Sequence, residues 1–226
     1  MQKQAVIIYG PPGSGKGTQA ELLARKYNFI HFDTGRYIES LVRAPGWEKN
    51  AVLRRERRIF DSGVLCTPSW VFNITAQFAG RMAKLGYSIV FSGSPRTLPE
   101  AFGKKDNGLA KVLERLYGKG NVAVIQLQVS EKASLNRNSH RLVCSVCGLP
   151  LLGNAKIKIC TFCAGKMRTR SLDKPEVIKV RLKEYHNRTY PIIAGMKKRN
   201  FKVFPINGEP LPFKVFGSVK KALKLK

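Results

Sequence analysis

Apolar residues arrive along this chain in short unbroken runs, separated by longer stretches where they recur every three or four positions. Residues 4–9 (QAVIIY) form the first run, and Phe29–Phe32, Tyr87–Phe91, Asn121–Val129 and Phe201–Ile206 form four more. Runs this short with no polar alternation predict strands buried on both faces. Between them, Lys16–Tyr27 puts Ala20, Leu23, Ala24 and Tyr27 on one helical side. Thr34–Val42 reads as a helix stopped by Ala44-Pro45-Gly46, and Lys49–Asp61 as a charged helix stopped at Ser62-Gly63. Trp70–Leu85 is helical up to Gly86, and Leu98–Phe102 and Leu109–Tyr117 flank an interruption at Gly103–Gly108. Pro175–Arg199 predicts one long helix with Ile178, Leu182, Tyr185, Thr189, Ile192 and Met196 on a stripe, kinked at Pro191. Val215–Leu225 is a last, basic helix, and Cys144–Cys163 is irregular. Strands alternating with helices predict an α/β fold: a five-stranded parallel sheet, right-handed crossovers and helices on both faces.

The junction of the first strand and first helix carries chemistry. Residues 10–18 read Gly-Pro-Pro-Gly-Ser-Gly-Lys-Gly-Thr. A glycine-rich turn between strand and helix lets successive backbone N–H groups converge on phosphate oxygens, and the helix start adds partial positive charge. Lys16 supplies a mobile ammonium to the outer phosphates. The strict phosphate-loop pattern has Ser or Thr directly after the lysine; here Gly17 intervenes before Thr18.

Composition adds two constraints. Lys plus Arg total 41 against 14 Asp plus Glu, a formal net charge of +27 over 226 residues. Such a surface attracts polyanions, but no RNA-binding or helix-turn-helix signature accompanies it, so it reads first as a solvated, self-repelling surface. The run Ala5–Tyr9 is too short for an export signal and no stretch approaches a membrane span, which predicts a cytoplasmic protein without membrane contact. In that compartment the five cysteines point to metal or free thiols before disulfides. Cys144-x2-Cys147 and Cys160-x2-Cys163 are two knuckles able to offer four thiolates to a tetrahedral zinc, with Gly148 and Gly165 available for tight turns. Cys66 is left over as a packing residue, and His140 is surplus to the site.

Gly10–Gln19 (GPPGSGKGTQ) resembles the adenylate kinase family of nucleoside monophosphate kinases. Asp33-Thr34-Gly35 resembles that family's Ser-Thr-Gly, and Gly93-Ser94-Pro95-Arg96-Thr97 its Gly-Phe-Pro-Arg-Thr. Arg137 and Arg141 precede the cysteine segment, and Arg170 and Arg181 follow it, at matching spacing. The resemblance implies a phosphate-loop core (residues 1–33, 66–139 and 174–226), a monophosphate-binding insertion (34–65) and a zinc-bearing lid (140–173). It implies phosphoryl transfer from magnesium-bound ATP to a nucleoside monophosphate, AMP before GMP, by a monomer. Lys16, Arg96, Arg137, Arg141, Arg170 and Arg181 would carry the catalysis. Gly13, Ser14, Gly15, Gly17, Thr18, Thr34, Gly93 and Glu100 would complete the nucleotide contacts.

Three positions depart from the family. Ser92 stands where an aspartate helps hold the magnesium water shell, and Asp33 is the carboxylate expected to replace it. Glu39 stands where an arginine meets the monophosphate; Arg36 or Arg43, one helical turn away on either side, is expected to substitute. Glu100 replaces a glutamine, and an ionised carboxylate can only accept hydrogen bonds, which favours the two donors on the edge of guanine. Ser92 and Glu39 also leave open a nucleotide-binding regulator with weak catalysis.

Overall fold

The computed structural model describes residues 3–151, 157–169 and 171–225. The chain begins with β1 (Ala5–Tyr9), α1 (Lys16–Tyr27), β2 (Ile30–Phe32), α2 (Thr34–Val42), α3 (Ala51–Asp61) and α4 (Pro68–Lys84). It continues through β3 (Ile89–Phe91), α5 (Leu98–Phe102), α6 (Leu109–Tyr117), β4 (Val122–Gln128) and α7 (Glu131–Ser139). The cysteine segment holds β5 (Leu142–Cys144), β6 (Pro150–Leu151) and β7 (Met167–Arg168), followed by α8 (Pro175–Glu184), α9 (Tyr190–Lys198), β8 (Lys202–Asn207) and α10 (Pro212–Leu223).

The central sheet has the order β2-β3-β1-β4-β8, and every pairing is parallel. Period-two alternation in β1 sets the two layers. Ala5, Ile7 and Tyr9 face a core shared with α4, α5, α6 and α9; Val6 and Ile8 face one shared with α1 and α10. From β1 the chain moves to one side of the sheet, and from β3 it crosses to the other. Strand order therefore switches direction at β1, and the crevice beyond the carboxyl ends of such strands is where α/β folds bind ligands. The 10–15 loop lies there.

Four local features differ from expectation. Residues 131–139 form α7, capped by Ser130, which accepts from the Ala133 N–H; its weak apolar periodicity hid it. The cysteine segment is not wholly irregular, since β6-β5-β7 make a small antiparallel sheet. The strands are shorter than their apolar runs at most ends. The long helix after Pro175 is interrupted by a π turn at Tyr185–Thr189. Pro191 lacks an N–H and its ring crowds the carbonyl four residues back, so the ladder widens just before it.

Candidate active site

The 10–15 loop folds back on itself as a cup. Gly13 and Gly15 sit at φ 76° and 90°, a left-handed conformation that disfavours side chains. A Cβ at Gly13 would also come within 2.6 Å of the Asn138 amide nitrogen and 3.0 Å of the Ser134 carbonyl. The Ser134 hydroxyl in turn donates to the Pro12 carbonyl, so α7 supports the loop from behind. Lys16 opens α1 and curls over the cup, donating to the carbonyls of Gly10 at 2.7 Å and Pro11 at 2.8 Å. Ser14 is buried within the loop, Gly17 leaves open space, and Thr18 is half-buried one residue further on.

Positive charge converges on this cup. Burial holds the Lys16 ammonium pKa well below its usual range, reinforced by the guanidiniums of Arg96, Arg181 and Arg141 and opposed by the carboxylate of Asp33. Lys16, Gly93, Ser94, Arg96 and Arg181 line one cleft with the loop. Concentrated cationic charge in an enclosed cleft makes an anion site, because a bound polyanion relieves the repulsion.

Two of these arginines share a carboxylate. Arg141 donates two hydrogen bonds to Asp173, and Arg181 donates to the Leu172 carbonyl at 3.0 Å and to Asp173 at 3.5 Å. Asp173 is buried and fixes both guanidiniums at the mouth of the cleft. Arg137 is placed elsewhere: it donates to the carbonyls of Gly208 at 2.9 Å and Glu209 at 2.7 Å, in the loop after β8. Arg170 lies outside the described residues.

On the far side of the cleft, Thr34 and Gly93 pack together; a Cβ on Gly93 would meet the Thr34 Cβ at 3.1 Å. The hydroxyls of Tyr9, Thr34 and Ser94 are buried with no hydrogen-bond partner among the described residues. Buried polar groups are almost always paired, so the orphan hydroxyls of Tyr9 and Ser94, which both line the cleft, mark a place for a polar ligand. Glu100 is buried. It accepts from the Arg96 N–H at 3.0 Å and the Thr97 hydroxyl at 2.9 Å, closing the N-terminus of α5 in a capping arrangement. Burial raises its pKa and those hydrogen bonds act against the rise. Its carboxylate is therefore turned to its own backbone.

The positions that departed from the family pattern have definite partners. The Ser92 hydroxyl lies 2.8 Å from Nε2 of His31, whose Nδ1 lies 3.3 Å from Glu21. Asp33 caps α2, accepting from the Arg36 N–H. Glu39 faces Arg43 at 3.6 Å, and Arg43 donates to Asp61 at 2.8 Å. The Arg36 guanidinium reaches across to the Gly148 carbonyl at 3.1 Å.

The four cysteines converge. One sulfur from each of Cys144, Cys147, Cys160 and Cys163 lies within 4.8 Å of all the others. The Cys144–Cys163 separation is 3.4 Å and the Cys147–Cys160 separation 3.7 Å. Zn–S bonds of about 2.3 Å in a tetrahedron need sulfurs about 3.8 Å apart, so the cluster fits a tetrahedral thiolate site. Cys66 stays out of it, buried under the Glu56 carbonyl with its thiol pushed up to about 12 by burial and the Glu56 charge.

Residue-type reasoning overlooked Asp173, His31 and Thr189. The Thr189 hydroxyl donates to the Arg96 carbonyl at 2.9 Å from the π turn, and sat unremarked within an apolar stripe. Asp173 carried one signal: it is the acid nearest Arg170 in an otherwise basic segment.

The family model for adenylate kinase matches residues 8–201. The chain is 33% identical over 193 residues to an adenylate kinase of Lachnoclostridium phytofermentans, covering 83% of each chain. It is 32% identical over 222 residues to one of Methanothrix thermoacetophila, covering 96% of this chain and 97% of the other. A third, from Caldicellulosiruptor bescii, is 30% identical over 211 residues, covering 91% and 93%. With the cup of loop amides, the convergent cations and matches along nearly its whole length, this chain belongs to the adenylate kinase family.

Proposed function

We propose that the chain reversibly transfers the terminal phosphoryl group of ATP to AMP. The observation that carries this reading is the Lys16 ammonium, enclosed by the loop and flanked by Arg96, Arg181 and Arg141 with its charge destabilised. Phosphoryl transfer asks a protein mainly to align two nucleotides, exclude water and neutralise charge on the moving group. Lys16 would leave the Gly10 and Pro11 carbonyls for the outer phosphates of the triphosphate, while the amides of residues 13–18 hold the inner ones. Arg141 and Arg181, held by Asp173, would flank the moving phosphoryl, and Arg96 would bind the acceptor phosphate. Arg137, which donates to the Gly208 and Glu209 carbonyls in the loop after β8, would reach the moving group only by leaving those bonds.

The unpartnered hydroxyls of Tyr9, Thr34 and Ser94 give the acceptor nucleotide its polar contacts. Glu100 has both carboxylate oxygens engaged, which takes away the main reason to favour guanine. Magnesium, arriving with the triphosphate, would add positive charge between the outer phosphates. Asp33 and Thr18 are the hard oxygen donors beside Lys16 that suit it. Zinc in the four-cysteine cluster would be structural, since four protein ligands leave no open position.

A coupled assay of ATP against AMP, GMP, CMP and UMP tests the acceptor. AMP should turn over fastest; GMP outpacing AMP would overturn the assignment. A magnesium titration of Asp33→Ala with an unmoved midpoint would remove Asp33 from the metal's surroundings. Elemental analysis giving less than one zinc per chain would remove the metal assignment.

A further inference from the structure

The high positive charge is not consumed by the cleft. In this parallel topology every crossover helix starts near the cleft and ends at the opposite face, beside the start of the next strand. Five of those helix ends, α1, α4, α6, α9 and α10, are basic. The last turn of α1 carries Arg25 and Lys26, and that of α4 carries Arg81 and Lys84. Arg115 ends α6, Lys197 and Lys198 end α9, and Lys220 and Lys221 end α10. Lys3, Lys119, Lys202 and Lys224 fill the turns between them.

Contacts confirm that these ends form one surface. Lys3 donates to the Ala83 carbonyl at 3.0 Å and lies over the Tyr117 ring, and Lys119 lies over the Phe201 ring. Lys202 donates to the Gly120 carbonyl at 2.7 Å. Nearly all these cations are exposed. The carboxylates at this end are Asp106, which pairs with Arg199, and Glu114, which pairs with Lys111; Glu21, a turn back on α1, pairs with Arg25.

A cation at a helix C-terminus stabilises the helix, but one per helix serves that purpose. Five helix ends bearing cations side by side, with so few acids among them, repel one another in the free protein. They fit a partner whose negative charges are evenly spaced. Membrane adhesion fits less well. The apolar side of α10 (Val215, Phe216, Val219, Leu223) is buried in the core, and Leu85 and Tyr87, in the one turn between α4 and β3, are the exposed large hydrophobics at this end among the described residues. We propose that this face binds nucleic acid through the phosphodiester backbone, independently of the nucleotide cleft. Ten residues of α1 separate Lys16 from Lys26, about 15 Å along the helix axis, so the two sites do not overlap.

The test uses the full chain. Fluorescence anisotropy with labelled single-stranded RNA and with duplex DNA, each at a series of salt concentrations, should show binding with a steep negative log–log salt slope for at least one of them. A variant with Lys197, Lys198, Lys221 and Lys224 changed to Glu should lose more than about tenfold in affinity and give a shallower slope. A second with the same positions changed to Gln guards against misfolding and should lose in the same direction. Both should keep wild-type kinase rates. A control with the same charge change at Lys49, Lys132, Lys179 and Lys183 should lose clearly less affinity. The proposal fails if wild type binds neither nucleic acid at low salt, if the control loses as much, or if anionic lipid vesicles are bound in preference to nucleic acid.

Discussion

Two segments outside the central core, residues 34–65 and residues 140–173, are held together in opposite ways. The first shares a hydrophobic cluster with its neighbours. Ile38, Val42 and Phe60 pack with Cys66, Val71 and Leu172, and Glu56, wholly buried, ties α3 to the start of α4 through the Thr67 N–H and hydroxyl and through Arg55. Among the described residues the second has little apolar interior beyond Val143 and Leu172. Val146 and Phe162 are 74% and 75% exposed, and its three strands supply only short ladders. What converges there is sulfur. A segment this small gains little order from burial alone, and a metal held by the four thiolates would supply the missing free energy. Packing thus orders the first segment, and the second brings together four sulfurs that could hold a metal.

Metal removal should separate the two most sharply. Chelation, or Cys144→Ser with Cys160→Ser, should abolish ordering of residues 140–173 and cut activity by about 10- to 100-fold, because Arg141 and Asp173 stand at the two ends of that segment. Hydrogen exchange should report loss of protection there and none in β1, β4 or α1. Protection lost evenly through the chain would break the comparison. Next in size, Phe60→Ala should destabilise the 34–65 segment by about 3–5 kcal/mol through the cavity it leaves, with zinc content unchanged.

Glu56→Gln should cost about 1–3 kcal/mol in denaturant melts, since the amide cannot serve as well the donors that face the carboxylate. Burial alone would raise the Glu56 pKa, yet the hydrogen bonds from Thr67 and Arg55 outweigh it and lower it. The contribution of Glu56 is thus present above the unfolded pKa of about 4.3 and lost as pH falls through the lower folded value. Acid should loosen the 34–65 segment over that window in wild type and not in the Gln variant. The smallest effect belongs to Arg36→Ala, which removes the direct bond between the two segments. Because that guanidinium is exposed, stability should change by less than about 1 kcal/mol.

How much of this was legible in the sequence depends on whether a feature is local. The phosphate loop, the two cysteine pairs and the strand–helix alternation each occupy a few neighbouring residues with fixed spacing, and all three stand in the fold. Arg96, Arg141 and Arg181 all act electrostatically on Lys16. What stayed hidden is set by tertiary contact. Nothing near Asp173 in sequence says that it will receive both Arg141 and Arg181, and nothing near His31 says that it will meet Ser92. The resemblance groups Arg137 with the moving phosphoryl, and nothing near it in sequence announces its bond to the Gly208 carbonyl in the loop after β8, about seventy residues downstream. The orientation of Glu100 was equally non-obvious: its capping of α5 follows from Thr97 three residues earlier, a pattern that competes with any contact to a base.

The central claim is that Lys16 and the guanidiniums around it neutralise a phosphoryl group in flight. Its most direct measurement is the rate of ADP formation from ATP and AMP by Lys16→Met, alongside a melt showing intact folding. The account predicts a fall of about 1,000-fold or more in kcat. A folded variant retaining a rate within tenfold of wild type would contradict it.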